Sequence, residues 1–223
     1  MANLAIFDLD YTLTQRGTWG RFVFQTVKTR PWLWLPLLIS AGRHQWLYKK
    51  GRIPRIAVKQ AMMRWSMVGK PRAHMLRLAE AFATNEVPHK LRPGAIGALK
   101  KHRDAGDVII IASAAVDIIV EAIARHLEIK HWVATDMAWQ DESLLPEFAS
   151  KNCYGAEKLV RVKRLFDENP KLKQSDTHIT FYSDSHSDIE MFTFSDVGIA
   201  VNPNRKLQDA APELGIEVID WNK

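Results

Sequence analysis

The stretch Leu4-Ala5-Ile6-Phe7-Asp8-Leu9-Asp10-Tyr11-Thr12 starts as an apolar run with the length and composition of a buried strand and ends in two acids. Strand alternation would turn Asp8 and Asp10 to one side, and open α/β sheets bind ligands beyond the carboxyl ends of their strands. Taken alone, an Asp-x-Asp pair serves equally well to cap a turn. Three further stretches bear on the choice. Ser113 follows the apolar run Val108–Ala112, where a hydroxyl and the N–H groups of a helix start suit a phosphate oxygen, although by itself it reads as a helix N-cap. Lys158, in Tyr154-Gly155-Ala156-Glu157-Lys158, opens a helix after a loop. It can point back to the strand ends and offset anionic charge; a solvated surface lysine is the plainer reading. Ser183-Asp184-Ser185-His186-Ser187-Asp188 follows the run Ile179–Tyr182. Ser187 and Glu190 fit a capping box and Asp188 suits the first turn of a helix, whereas Asp184 stands before the cap, with no such role.

The elements that must position these residues alternate. From residue 90 onward, helices at Ala95–Ala105, Val116–His126, Glu157–Glu168 and Asp188–Phe194 are interleaved with strands at Val108–Ala112, Trp132–Ala134, Ile179–Tyr182, Val197–Val201 and Ile216–Ile219. Residues 137–153 read as irregular or a hairpin. Such alternation predicts an α/β fold, a doubly wound, Rossmann-like parallel sheet covered on both faces. Residues 1–14 and 90–223 form this core domain, and residues 15–89 are inserted after the first strand as a helical cap domain. Within the cap, Trp19, Phe22, Val23, Thr26 and Val27 recur at helical spacing up to Pro31, and Ile56–Met67 and His74–Ala83 give two more amphipathic helices, with Pro88 marking the return to the core. No repeat, low-complexity tract or GxxxxGK loop is present in the sequence.

Charge divides along the same line. The net charge of +6 conceals a segment, residues 16–103, with 19 Lys and Arg against two acids, Glu80 and Glu86; the remainder carries 12 basic and 23 acidic residues. A split this sharp suggests two functional parts. Cys153 is the only cysteine, which excludes an intrachain disulfide and points to a reducing compartment. Asp8 and Asp10 interrupt any signal-peptide pattern, and the longest apolar run, Trp32–Ala41, broken by Pro36 and Ser40, is far short of the roughly 20 residues of a membrane span. A cytoplasmic protein is expected.

An acid pair, a hydroxyl, a lysine and a second acid cluster, in this order beside strand ends, resemble the four motifs of the haloacid dehalogenase-like superfamily: Asp8-Leu9-Asp10-Tyr11-Thr12 the first, Ser113 the second, Lys158 the third, Asp184 with Asp188 the fourth. The inserted cap is similar to that of the phosphoserine phosphatase-like branch. The tail from Ala200-Val201-Asn202-Pro203 to Trp221 resembles bacterial members described as histidinol-phosphatase-like or phosphatidylglycerophosphatase-like. The resemblance implies a phosphoric monoester hydrolase in which Asp8 is the nucleophile that becomes an aspartyl-phosphate and Asp10 the general acid and base. It also implies Mg²⁺, held by Asp8, Asp184 and the Asp10 carbonyl, with Ser113 and Lys158 on the phosphoryl oxygens and Asp188 and Ser187 in support. Ser183 and Ser187 stand where the branch has Gly and often Asn. Gly17, beside Arg16, stands where phosphoserine phosphatases carry the glutamate that binds the substrate amine, which disfavours phosphoserine.

The cap leaves two uses open. Five of the eight Trp (Trp19, Trp32, Trp34, Trp46, Trp65) lie in the basic segment. They can pack within the cap while its charges attract a phosphorylated metabolite, or form a peripheral contact with the anionic inner membrane surface, admitting a lipid phosphate. No nucleic-acid-binding motif accompanies the positive charge. A catalytically silent anion-binding protein on the same fold is the rival reading, and it has no need of both Asp8 and Asp10.

Overall fold

The computed structural model describes residues 3–172 and 176–222. Strand β1 (Leu4–Phe7) leads into an irregular turn over Leu9–Leu13, in which Tyr11 adopts the left-handed region at φ 63°. Four helices follow, α1 (Thr18–Val27), α2 (Trp34–Lys49), α3 (Arg55–Ser66) and α4 (Arg72–Lys90). Then come α5 (Pro93–Asp104), with Pro93 at the start where its missing N–H costs nothing, β2 (Val108–Val116), α6 (Asp117–His126) and β3 (His131–Thr135). The hairpin β4 (Met137–Gln140) and β5 (Ser143–Phe148) precedes α7 (Ala156–Glu168), β6 (Ile179–Ser183), α8 (Ile189–Phe194), β7 (Val197–Val201), α9 (Arg205–Ala210) and β8 (Glu217–Ile219).

Six strands make one sheet in the order β3-β2-β1-β6-β7-β8, with every described pairing parallel. Both faces are covered, which is why β1 and β2 are apolar at nearly every position rather than alternating. Alternate residues enter opposite cores: Ala5, Phe7, Ile109 and Ile111 on one side, Leu4, Ile6, Ile110 and Ala112 on the other. Phe7 stands level with Ile111 and Tyr182, so Asp8, Ser113 and Asp184 all issue within two residues of one level at the carboxyl rim. The α/β class read from the sequence is the one observed.

Three local expectations change. Helix α4 runs on past Pro88 to Lys90; only His89 and Lys90 lie beyond the proline, so its missing hydrogen bond falls in the final turn. The Pro36 break in Trp32–Ala41 does not interrupt α2, because Pro36 is its third residue and N–H groups of the first turn have no intrahelical partner. β2 does not stop at Ala112 but continues to Val116. Among the described residues, no helix is long and apolar enough to cross a membrane.

Candidate active site

The rim gathers one charged cluster. Gly155, at φ +61°, precedes α7 and starts it so that Lys158 lies in the first turn facing the rim. The side chain is 2% exposed, and its Nζ donates to Asp8 Oδ1 at 2.9 Å and to Asp188 Oδ2 at 2.6 Å. The surface-lysine reading is therefore wrong; Asp188 does lie in a first turn, of the short 3-10 turn His186–Asp188, but it is also buried and ion-paired with Lys158. Ser183 Oγ donates to the same Asp188 Oδ2 at 2.7 Å, while Asp188 Oδ1 is buried with no hydrogen-bond partner among the described residues.

Ser113 lies within β2, fully buried, so it is not a helix N-cap; Val116 precedes α6 in that position without a side-chain cap. Ser113 Oγ accepts the Ala115 N–H at 3.1 Å, which leaves its own O–H to donate. The expected Ser187–Glu190 capping box is replaced by Ser185, whose side chain accepts from the Ser187 N–H at 3.3 Å. Ser187 Oγ pairs with Ser185 Oγ at 2.8 Å. Its support of Lys158 or Asp188 is thus indirect, and Ser183 is the serine that touches Asp188.

Asp8 and Asp10 do not share a strand face, since β1 ends at Phe7. The turn brings them to one place instead, and Asp10 Oδ1 accepts the Thr18 N–H at 2.8 Å, which fixes it to the first residue of α1. Thr12 Oγ1 accepts the Asp184 N–H at 3.0 Å and ties the first loop to the one after β6. A cavity of about 90 Å³ results, lined by Asp8, Asp10, Ser113, Lys158, Asp184 and Asp188, with Arg55 and Tyr154 at its edge.

Burial drives the electrostatics. It pushes the Asp8 carboxyl up to about 8 against the pull of Lys158, with Asp188 and Asp184 adding repulsion, and it pushes Asp184 up to about 6, with Asp188 beside it. The two carboxylates hold Lys158 protonated well above the ordinary lysine range, against its own burial. No group of three or more His, Cys, Asp or Glu arranged to hold a metal occurs among the described residues. The acidic donors at the rim are oxygens only: the carboxyl groups of Asp8 and Asp184, both raised by burial, and an Asp188 oxygen without a hydrogen-bond partner among the described residues. That set fits a hard divalent cation of the Mg²⁺ type, which keeps several of its waters and takes few protein ligands.

Sequence reading missed the contribution of α3. Lys59 is buried, donates to the Ala114 carbonyl and to Asn152 Oδ1, the latter at 2.7 Å, and is lowered to about 8 by burial against the opposing pull of Asp10. Arg55 lies 4.4 Å over the Tyr154 ring. Both line a larger cavity of about 670 Å³, joined to the first through Asp10, Tyr11, Arg55 and Ala114 and walled by Arg16, Trp19, Gln45, Tyr48 and Met62. Among its described lining residues Asp10 is the one carboxylate. Only the excess of positive charge in this segment could have hinted at it.

A family model described as haloacid dehalogenase-like hydrolase matches residues 5–193. Protein CicA of Caulobacter vibrioides is 27% identical over 194 residues, covering 86% of this chain and 83% of its own. Phosphoserine phosphatase SerB1 of Mycobacterium tuberculosis is 25% identical over 228 residues, 97% of this chain and 70% of its own. The histidinol-phosphatase of Neisseria meningitidis serogroup C is 23% identical over 229 residues, 99% and 100% of the two chains. Among solved structures, a Bordetella pertussis protein of unknown function superposes with a TM-score of 0.79 at 23% identity over 99% of this chain and 100% of that one. A phospho-aspartyl intermediate analogue of phosphoserine phosphatase does so with a TM-score of 0.62 at 16% identity, over 100% and 94%. These structures share the fold.

Proposed function

Because the chain belongs to the haloacid dehalogenase-like hydrolase family, we propose that it hydrolyses a phosphate monoester through an aspartyl-phosphate on Asp8. The observation that carries this reading is the buried Lys158 ammonium shared between Asp8 and Asp188 from two other elements of the rim. Nothing structural requires a lysine and two carboxylates there, since apolar residues of similar volume generally serve stability as well. Two relatives named as phosphatases, at nearly full coverage of this chain, point the same way.

In the proposed reaction an Asp8 carboxylate oxygen attacks phosphorus in line and the bond to the leaving oxygen breaks. Asp10, held by the Thr18 N–H, gives that oxygen its proton. A water then attacks the phosphorus of the aspartyl-phosphate while Asp10 takes the proton back; phosphate leaves and the Asp8 carboxylate is restored. Ser113 and Lys158 hold the equatorial oxygens. Asp188, braced by Ser183, keeps Lys158 in place. Mg²⁺, when bound by Asp8, Asp184 and the Asp10 carbonyl, would neutralise charge between nucleophile and phosphoryl group.

Residues 15–89 act in this reading as a cap on a core of residues 1–14 and 90–223. Its two crossings are adjacent: Thr14 bridges to Leu91, and the Gln15 N–H donates to the Lys90 carbonyl at 2.9 Å. The cap residues Arg16, Arg55 and Lys59, with no cap carboxylate beside them in the larger cavity, suit a small phosphorylated metabolite whose remaining part is anionic or neutral rather than an amine. Release of phosphate from p-nitrophenyl phosphate is expected with Mg²⁺, and is abolished by chelator and by Asp8→Asn. Activity that survives Asp8→Asn removes the covalent mechanism, and no release from any phosphomonoester leaves a binding protein.

A further inference from the structure

Helix α2 buries only Leu37 of its 16 residues. Trp32, just before it, is 69% exposed, and Leu35, Leu38 and Ile39 are 68%, 67% and 62% exposed; Phe24, Trp34 and Trp46 are also exposed. Trp19 is buried with its ring against Phe148, and Trp34 leans on Phe24 and donates to the Val27 carbonyl, but Trp32, Leu35, Leu38 and Ile39 stay largely open. Leu35, Leu38, Ile39, Gly42 and Trp46 lie at i, i+3, i+4, i+7 and i+11 and so form one stripe along the helix. Single exposed apolar residues are ordinary; a contiguous face of this kind marks an interaction site.

The charges around the stripe select its occupant. Exposed Lys28 and Arg30 lie before it, and exposed Arg43, Lys49, Lys50 and Arg52 lie along and after its end. Lys50 and Arg52 stand 5.9 and 5.8 Å from the Trp46 ring. No acid occurs between Asp10 and Glu80. The acids of the inserted segment are both on α4 and both engaged, Glu86 with Arg21 and Glu80 with Arg125 and His126. A second copy docked on this face would bring two acid-free basic surfaces together. An anionic bilayer instead accepts the aromatic and aliphatic side chains at its headgroup–acyl boundary and the Lys and Arg at its headgroups. We propose that the outer face of α2 is a docking surface for an anionic lipid bilayer, on which the protein sits peripherally. Gln45 and Tyr48 of the same helix line the larger cavity, so docking and substrate binding use different residues.

The full chain is sedimented with phosphatidylcholine vesicles with and without phosphatidylglycerol, alongside the triple variant Trp32→Ser, Leu35→Ser, Leu38→Ser. Partitioning onto anionic vesicles is expected to exceed that onto neutral ones about tenfold, to weaken with added salt, and to fall about tenfold or more in the variant. Turnover of p-nitrophenyl phosphate is expected to be the same in both proteins. Absence of binding to anionic vesicles, or equal binding by variant and wild type, overturns the proposal. So does a dimer that the variant abolishes in a protein that ignores vesicles, because the face would then belong to a second copy.

Discussion

Replacing Lys158 by methionine tests whether the rim is held by charge or only by packing. The methionine keeps most of the volume of the lysine stem, so the loss is that of the ammonium. Two buried acceptors are stranded, Asp8 Oδ1 at 2.9 Å and Asp188 Oδ2 at 2.6 Å. Removing one partner of a buried ion pair costs about 3–5 kcal/mol, because the remaining charge is left uncompensated. Lys158→Met is therefore expected to lose about 3–5 kcal/mol at pH 7 and all phosphatase activity. Asp188→Asn removes one of the two carboxylates. In the Lys158→Met background it relieves repulsion with Asp8, and the cycle of two single variants and one double is expected to show a coupling of about 2 kcal/mol. Urea unfolding followed by both far-UV circular dichroism and tryptophan fluorescence, with unchanged m and coincident transitions, gives these energies. A cost below about 1 kcal/mol for Lys158→Met, or single-variant losses that add to within about 0.5 kcal/mol, would refute the idea that this triad is mutually dependent.

Two more outcomes follow from buried titratable groups. Lys59, lowered to about 8, carries its charge below that pH and loses it above; the KM for an anionic phosphomonoester is expected to rise as pH passes 8. Lys59→Gln should raise KM about tenfold at pH 7, leave kcat nearly unchanged and flatten that pH dependence, a change of about 1.4 kcal/mol in binding; an unaltered pH profile of KM removes Lys59 from the substrate site. Asp117, pushed up to about 6 by burial despite accepting the Ile118 and Met137 N–H groups, binds its proton more tightly folded than unfolded. Its contribution to stability is complete below about pH 4 and is lost as pH rises to 6, so Asp117→Asn is expected to gain about 1–2 kcal/mol above pH 6 and nothing near pH 4, read from thermal midpoints across that range.

The parallel sheet was legible because both of its faces are buried: β1 and β2 are apolar runs whatever side each residue enters, and the helices between them repeat at a different period. What lay beyond the strands was less so. The run Val108–Ala112 ends in small residues, Ser113-Ala114-Ala115, that extend a strand as readily as they start a helix, and only pairing with β3, through Val116 and Thr135, selects the strand. Ser185 rather than Ser187 caps the next turn because Asp188 is drawn inward to Lys158, a long-range contact invisible to local spacing. Asp8, Asp10, Ser113, Lys158, Asp184 and Asp188 were each ambiguous alone, and their order along the chain is what joined them. Lys59 carried no such order. A lysine on a basic helix reads as solvent-facing until tertiary structure buries it, and Asn152, its partner, lies 93 residues away.

The insertion point explains why the cap can matter to the chemistry. In the proposed division of the chain, residues 15–89 leave the core only a few positions after Asp8, so the loop that carries Asp10 also leads into the cap. The Thr18 N–H, at the start of α1, orients the Asp10 carboxylate. From the far side, Lys59 on α3 donates to the Ala114 carbonyl, one residue after Ser113. A displacement of α1 or α3 would therefore alter both the orientation of Asp10, the general acid of the proposed reaction, and the strand end that carries Ser113. The core keeps Asp8, Lys158 and Asp188 together through contacts of its own, which engage no cap residue. In the proposed reaction, nucleophile and phosphate anchor thus belong to the sheet rim, whereas the orientation of Asp10 and the lining of the larger cavity depend on how the proposed cap is seated, a division that would let substrate preference change in the cap while the reaction at phosphorus stays the same.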